Sequence, residues 1–193
     1  MITLASDFGS PYPAAMKGVV LSRCDARLVD VAHDLPRQDV RSAAFWLREV
    51  LPTFPPAVHL AVVDPGVGTD RAALVVAAGD HALVGPDNGV LLPAARALAD
   101  EEPTVYEWAF DDPASATFHG RDVFAPAAAA VHEAEGPAAL DRATPTDAHV
   151  DLTFPEPSVR EGGAEGAVLA VDGFGTAVTN VPGDALDGRW GET

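Results

Sequence analysis

Ala61-Val62-Val63-Asp64-Pro65-Gly66-Val67-Gly68-Thr69-Asp70-Arg71 decides how this chain reads. An apolar run, Val58 to Val63, enters the stretch and a second, Ala72 to Ala78, leaves it, which predicts a strand, a tight loop and another strand. Pro65 removes a backbone donor, and Gly66 and Gly68 permit backbone angles closed to other residues. The loop can therefore hold Asp64 and Arg71 in a fixed geometry at the end of a buried strand. Asp-Pro-Gly is also ordinary turn chemistry, and an Asp and an Arg at this spacing can be a surface pair of small consequence. The remainder of the chain must decide between the two.

Upstream, Ile2 to Ser6 reads as a buried strand running into Asp7-Phe8-Gly9-Ser10-Pro11-Tyr12, a loop rich in breakers. An acidic residue just past a strand end is where open α/β sheets place ligand contacts, so Asp7 is a candidate site residue as well as a turn former. Ala14 to Cys24 is expected to be helical and Arg27 to Ala32 a strand. Asp39 is positioned as the N-cap of an amphipathic helix that Pro52 stops. Downstream, Ala72 to Ala78 and His81 to Val84 flank Gly79-Asp80, a hairpin signal, and Gly85-Pro86-Asp87-Asn88-Gly89 forms a turn before a helix over Val90 to Ala99. Thr104 to Trp108 is extended. Thr117-Phe118-His119-Gly120-Arg121-Asp122 then opens an Ala-rich helix, Val123 to His132, and sets His119 beside a glycine facing a possible ligand. Gly136 to Gly166 reads as an irregular connection before a strand, Ala167 to Val171, and the turn Asp172-Gly173-Phe174-Gly175. The expected fold class is α/β: an N-terminal α/β domain with a central, mostly parallel sheet over 1–150, and a small β portion over 151–193 that is too short for an independent core.

The totals narrow the function. Twenty-nine acidic against twelve basic residues give a formal charge of −17, which argues against nucleic acid as a partner because a phosphate backbone would be repelled. No window approaches the roughly 20 apolar residues needed to span a membrane, and the N-terminus lacks a signal pattern, so a cytoplasmic location is the expectation. The single cysteine, Cys24, excludes a disulfide within the chain. There is no Walker loop, no His-Glu-x-x-His and no Gly-x-Ser-x-Gly, and Arg71 stands where a dinucleotide fingerprint needs its third glycine. The expected metal is none.

Read together, Ser6-Asp7-Phe8-Gly9, Val29-Asp30-Val31-Ala32-His33-Asp34, Val62 to Thr69 with Arg71, Pro86-Asp87-Asn88-Gly89, Phe118 to Phe124 and Asp172-x-Phe174-Gly175 resemble the S-adenosylmethionine hydroxide adenosyltransferase family, relatives of the fluorinating and chlorinating enzymes. The resemblance implies an α/β domain, a C-terminal β-barrel present here only in part, and a homotrimer with sites between subunits. It implies that Asp64, Arg71 and His119 form a water-activating triad, that Asp7 holds the ribose hydroxyls and that Asp172 meets the amino group of the methionine part. The implied reaction is hydrolysis of S-adenosyl-L-methionine to adenosine and L-methionine with no cofactor. The alternatives are a non-catalytic binder of S-adenosylmethionine or adenosine and, less favoured because Arg71 and His119 keep the water-activating pattern, a halogenase that uses S-adenosylmethionine. The residue types suit the chemistry: the sulfonium is already a leaving group, and hydroxide is the scarce reactant because bulk water has a pKa of about 15.7. Arg71 favours an adjacent anion, and His119 suits proton acceptance.

The acidic surplus is that of a protein from a salt-loving organism, since self-repulsion weakens a compact chain unless salt screens it and the screening length is about 3 Å at molar ionic strength. The melting temperature should rise from dilute buffer to molar KCl. Equal values in the two would remove the salt adaptation.

Overall fold

Ile2–Ser6 is buried along its whole length and forms β1, the strand around which the others are ordered. The computed structural model describes residues 1–111, 113–161 and 163–186. The chain divides into two compact units, Met1–Leu152 and a second beginning at Thr153.

In the first unit β1 is followed by α1 (Tyr12–Leu21), β2 (Leu28–Ala32), α2 (Val40–Val50), β3 (Val58–Val62), β4 (Ala73–Ala78), β5 (His81–Pro86), α3 (Leu92–Leu98), β6 (Thr104–Trp108), α4 (Ala125–Glu133) and β7 (Ala143–Pro145). One sheet holds all seven strands in the order β2-β1-β3-β5-β4-β6-β7. The pairings β2/β1, β1/β3 and β3/β5 are parallel, and β5/β4, β4/β6 and β6/β7 are antiparallel, so five of the seven strands share one direction. Every residue of β1 and β3 is buried, as expected for parallel strands covered on both faces. Alternation along the strands divides the core. Ile2, Leu4, Val58, Leu60 and Val62 pack with Met16 and Val20 of α1 and with the alanines of α4. The alternate residues face the other side, where α2 packs on α3.

Local chemistry sets the helix ends. Asp39 accepts the Ser42 N–H at 3.0 Å and caps α2 as its position predicts, and Pro52 follows in a short 3₁₀ turn. The expected helix at Val123 begins instead with a π-helical turn, Gly120–Phe124, that runs directly into α4.

The strands on either side of the glycine loop, β3 and β4, for which the sequence reading gave no pairing, are not neighbours: β5 lies between them, parallel to one and antiparallel to the other. The loop therefore spans the end of β5. The segment expected to be an irregular connection also supplies β7, which pairs with β6 at the sheet margin. At three residues it is too short to show a period of two, and its Pro145 is the kind of residue an edge strand tolerates.

In the second unit β8 (Ser158–Arg160) pairs with β9 (Gly163–Glu165), and β10 (Val168–Val171) pairs with β11 (Ala177–Thr179). These are two separate antiparallel hairpins among the described residues, where the resemblance implied part of a barrel. Asn180 ties the unit together: its Oδ1 accepts the Ala167 N–H at 2.8 Å and its Nδ2 donates to the Pro155 carbonyl. No helix among the described residues is long and apolar enough to cross a membrane.

A buried polar row crosses the N-terminal ends of three strands. The hydroxyl of Thr3 meets His59 Nδ1 at 2.8 Å, and His59 Nε2 meets His81 Nδ1 at 2.9 Å. Burial first, and the charge of His81 second, lower the pKa of His59 from 6.5 to about 4. The folded state thus favours neutral His59. The resulting stability is present above pH 6.5 and is lost as pH falls towards 4, a span worth about 3 kcal/mol. In urea titrations from pH 7 to 5 the wild type should lose stability more steeply than His59→Gln. Parallel curves for the two proteins would contradict this assignment.

Candidate active site

β1 and β3 run side by side in parallel with Ser6 opposite Val62, so Asp7 and Asp64 leave the sheet at the same edge. The chain between Asp64 and Arg71 is two turns in succession. Val67 N–H donates to the Asp64 carbonyl at 3.3 Å, and Thr69 donates both its N–H and its hydroxyl to the Gly66 carbonyl, at 3.1 and 2.7 Å. Only Gly68 takes a left-handed conformation, with φ of 81°, and it packs against the Ala116 carbonyl, 3.0 Å from where a Cβ would be. Gly66 contributes closeness instead: a Cβ there would lie 3.3 Å from Thr69 Oγ1 and 3.4 Å from Arg71 Cγ.

This loop folds the Arg71 guanidinium back onto Asp64. Nε donates to Oδ1 at 2.9 Å and to Oδ2 at 3.0 Å, and Nη2 donates to Oδ2. The same Nη2 reaches His119 Nδ1 at 2.9 Å. Because a guanidinium only donates, Nδ1 is the accepting nitrogen of His119 and the neutral ring carries its proton on Nε2. Burial, and then the positive charge of Arg71, push the His119 pKa below its usual value, so the ring is neutral near pH 7. The Asp64 and Arg71 side chains are 6% and 9% exposed. Phe124 lies under the guanidinium, 4.8 Å from Cζ to ring centroid, and Phe110 meets the His119 ring edge-on at 6.1 Å.

A cleft of about 340 Å³ opens beside this row, within the size range of small-molecule sites. Asp64 and Asp7 both line it, together with Phe8, Tyr12, Met16, Gln38 and Phe118. Arg71 and His119 stand behind Asp64, outside the lining. Tyr12 packs between Phe8 and Phe118, with centroids 6.1 and 5.8 Å away, and forms an aromatic wall that is partly exposed.

Asp64, Arg71 and His119 are thus joined, and Asp7 shares their cleft. Asp172 belongs to the second unit, where its Oδ1 accepts the N–H groups of Phe174 and Thr176 at 2.9 and 2.8 Å and shapes the hairpin turn; these bonds lower its pKa. Sequence reasoning missed Gln38, whose N–H donates to Asp7 Oδ2 at 2.7 Å and whose φ of 58° is the only left-handed non-glycine value among the described residues. Nothing in the order Arg37-Gln38-Asp39 signals that strain. It also missed a polar row behind the Asp7 loop. Ser6 Oγ meets His33 Nδ1 at 2.7 Å, His33 Nε2 meets Asp30 Oδ1 at 3.0 Å, and Lys17 donates to Asp30 Oδ2 at 2.6 Å. Asp30 and His33 stood in a quoted motif, but their i, i+3 spacing on a strand end gave no pairing signal.

A mixed α/β sheet with a carboxylate, a guanidinium and an imidazole joined at one edge of a small cleft describes a protein built to handle a small molecule. The family model described as SAM hydroxide adenosyltransferase N-terminal domain matches residues 2–141, and the chain belongs to that family. It is 44% identical over 195 residues to an (R)-S-adenosyl-L-methionine hydrolase of Salinispora tropica, with 96% of this chain and 74% of the relative covered. The Thermus thermophilus protein of the same name is 45% identical over 194 residues, covering 91% and 72%. Among solved structures, an uncharacterized conserved protein from Thermotoga maritima superposes with a TM-score of 0.79 at 33% identity, over 96% of this chain and 73% of that one.

Proposed function

We propose that this chain hydrolyses S-adenosyl-L-methionine to adenosine and L-methionine. The observation that carries the reading is the continuous Asp64–Arg71–His119 row, whose Asp64 lines the cleft that Asp7 also lines. The names of the relatives supply the substrate.

Asp64 is the member of the row that reaches the cleft, so it accepts a hydrogen bond from the attacking water. Arg71 fixes both carboxylate oxygens from behind, and His119, whose accepting Nδ1 is occupied by Nη2, keeps the guanidinium from turning away and does not take the proton as its residue type had suggested. The new bond forms between the water oxygen and C5′ as the C5′–S bond breaks. The electron pair stays on sulfur, which leaves as the neutral thioether of methionine, and the water's proton passes to Asp64 and then to solvent. As the water's proton moves to Asp64 and the C5′–S bond breaks, the negative charge of the carboxylate and the positive charge of the sulfonium are both lost, which a site shielded from water favours. No cofactor is required because the sulfonium is itself the activated group. In the same reading Asp7 takes the ribose hydroxyls and Asp172 the amino group of the methionine part, both on the strength of the resemblance. A homotrimer and a cytoplasmic location belong to the proposal on the same ground. Adaptation to high salt belongs to it on the ground of the −17 charge.

Incubation with S-adenosyl-L-methionine in high-salt buffer made with heavy-oxygen water should give adenosine carrying the label at O5′. A 5′-halonucleoside as the product, or unchanged substrate in the presence of measurable binding, would overturn the hydrolase reading.

A further inference from the structure

Because β5 lies between β3 and β4, the turn that follows it, Asp87-Asn88-Gly89, falls between the two ends of the loop carrying Asp64 and Arg71. It holds both. Asn88 Nδ2 donates at 2.8 Å to the carbonyl of Val63, the residue before Asp64. The Asp87 N–H donates at 3.0 Å to the carbonyl of Ala72, the residue after Arg71. Asn88 Oδ1 in turn accepts the Val90 N–H at 3.1 Å. A carbonyl only accepts and an amide N–H only donates, so the position calls for a side chain with one of each at this reach, which is a primary amide. A carboxylate would turn an oxygen towards the Val63 carbonyl.

The turn is itself fixed. Gly89 has φ of 87°, and a Cβ on it would lie 2.6 Å from Leu152 Cβ. Asp87 Oδ1 accepts the Val150 N–H at 2.7 Å. Asn88 does not line the cleft, so any influence on the reaction passes through the loop.

We propose that Asn88 is a positioning residue: by holding the Val63 carbonyl it sets where the Asp64 carboxylate meets both the cleft and Arg71. The proposal rests on the hydrolase reading for its kinetic consequence and on the geometry alone for its structural one. Asn88→Asp keeps the acceptor for Val90 but replaces the donor to Val63 with a charged oxygen that the carbonyl repels, and Asn88→Ser separates the lost donor from the added charge. Misplacement of a reacting group by about 1 Å can cost on the order of 100-fold, so kcat should fall about 10- to 100-fold while KM for S-adenosyl-L-methionine stays within about threefold. Asn88→Ser, smaller and uncharged, should show the same split. Thr3→Val, which removes a buried side-chain hydrogen bond at the opposite strand ends, is the control for lost stability and should keep wild-type kcat. Independently of turnover, the Arg71 Nε–H resonance in ¹⁵N-labelled protein should be protected from exchange in the wild type and in Thr3→Val, and lose that protection in both Asn88 variants. Wild-type kcat in the folded Asn88 variants, or a fall matched by Thr3→Val, would overturn the proposal, as would unchanged Arg71 protection. If the wild type itself does not turn over S-adenosyl-L-methionine, the hydrolase reading fails and the Arg71 resonance still decides the role of Asn88.

Discussion

Arg71 places two N–H groups on the Asp64 carboxylate and spends the second hydrogen of Nη2 on His119, and the architecture around the cleft follows from keeping that guanidinium in one orientation. Both side chains of the pair are almost fully withdrawn from solvent. Burying two charges costs several kcal/mol per ion, and their attraction repays this only when the geometry is good and the remaining hydrogen-bonding capacity is met. Here the geometry is supplied by two consecutive turns, an aromatic ring under the cation and an imidazole that accepts the spare donor. An apolar pair of similar volume would serve stability as well. Of the three residues in the row only Asp64 lines the cleft, and that is the placement the proposed reaction uses.

The sheet order explains how the pair is held. Inserting β5 between β3 and β4 turns a short loop into a bridge, and the bridge is supported from the middle by the turn after β5. Parallel β1 and β3 bring Asp7 to the same edge, and the π-helical turn before α4 delivers His119 from far along the sequence. Three distant stretches thus converge because β1 and β3 finish, and the helical turn after His119 starts, at the same end of one sheet.

Much of this was legible in the sequence, for physical reasons that differ between parts. The buried strands β1 and β3 announce themselves as continuous apolar runs, and Asp39 as a cap, because these signals are local. Asp64 and Arg71 could be suspected from the turn between them, since a glycine-rich loop limits how far apart they can stand. The Asp64–Arg71–His119 row joins residues singled out from a resemblance, and their chemical roles remain the proposal made above. The insertion of β5 was not legible, because strand order is a property of the whole sheet and leaves no mark on a hairpin's own residues. Nor was β7, whose three residues are too few for periodicity. The left-handed Gln38 and the amide of Asn88 were hidden for a related reason: each works through a main-chain contact, to which sequence spacing is blind.

The account turns on the fork of the Arg71 guanidinium and not on its charge alone. Arg71→Lys keeps the positive charge beside Asp64 but offers a point-like ammonium in place of a planar pair of donors, and it cannot reach the carboxylate and His119 in the same geometry. Its kcat for S-adenosyl-L-methionine hydrolysis, measured on folded protein in high salt, should fall by about 100-fold, the scale expected when a reacting group is misplaced. A kcat within about threefold of wild type would contradict the account.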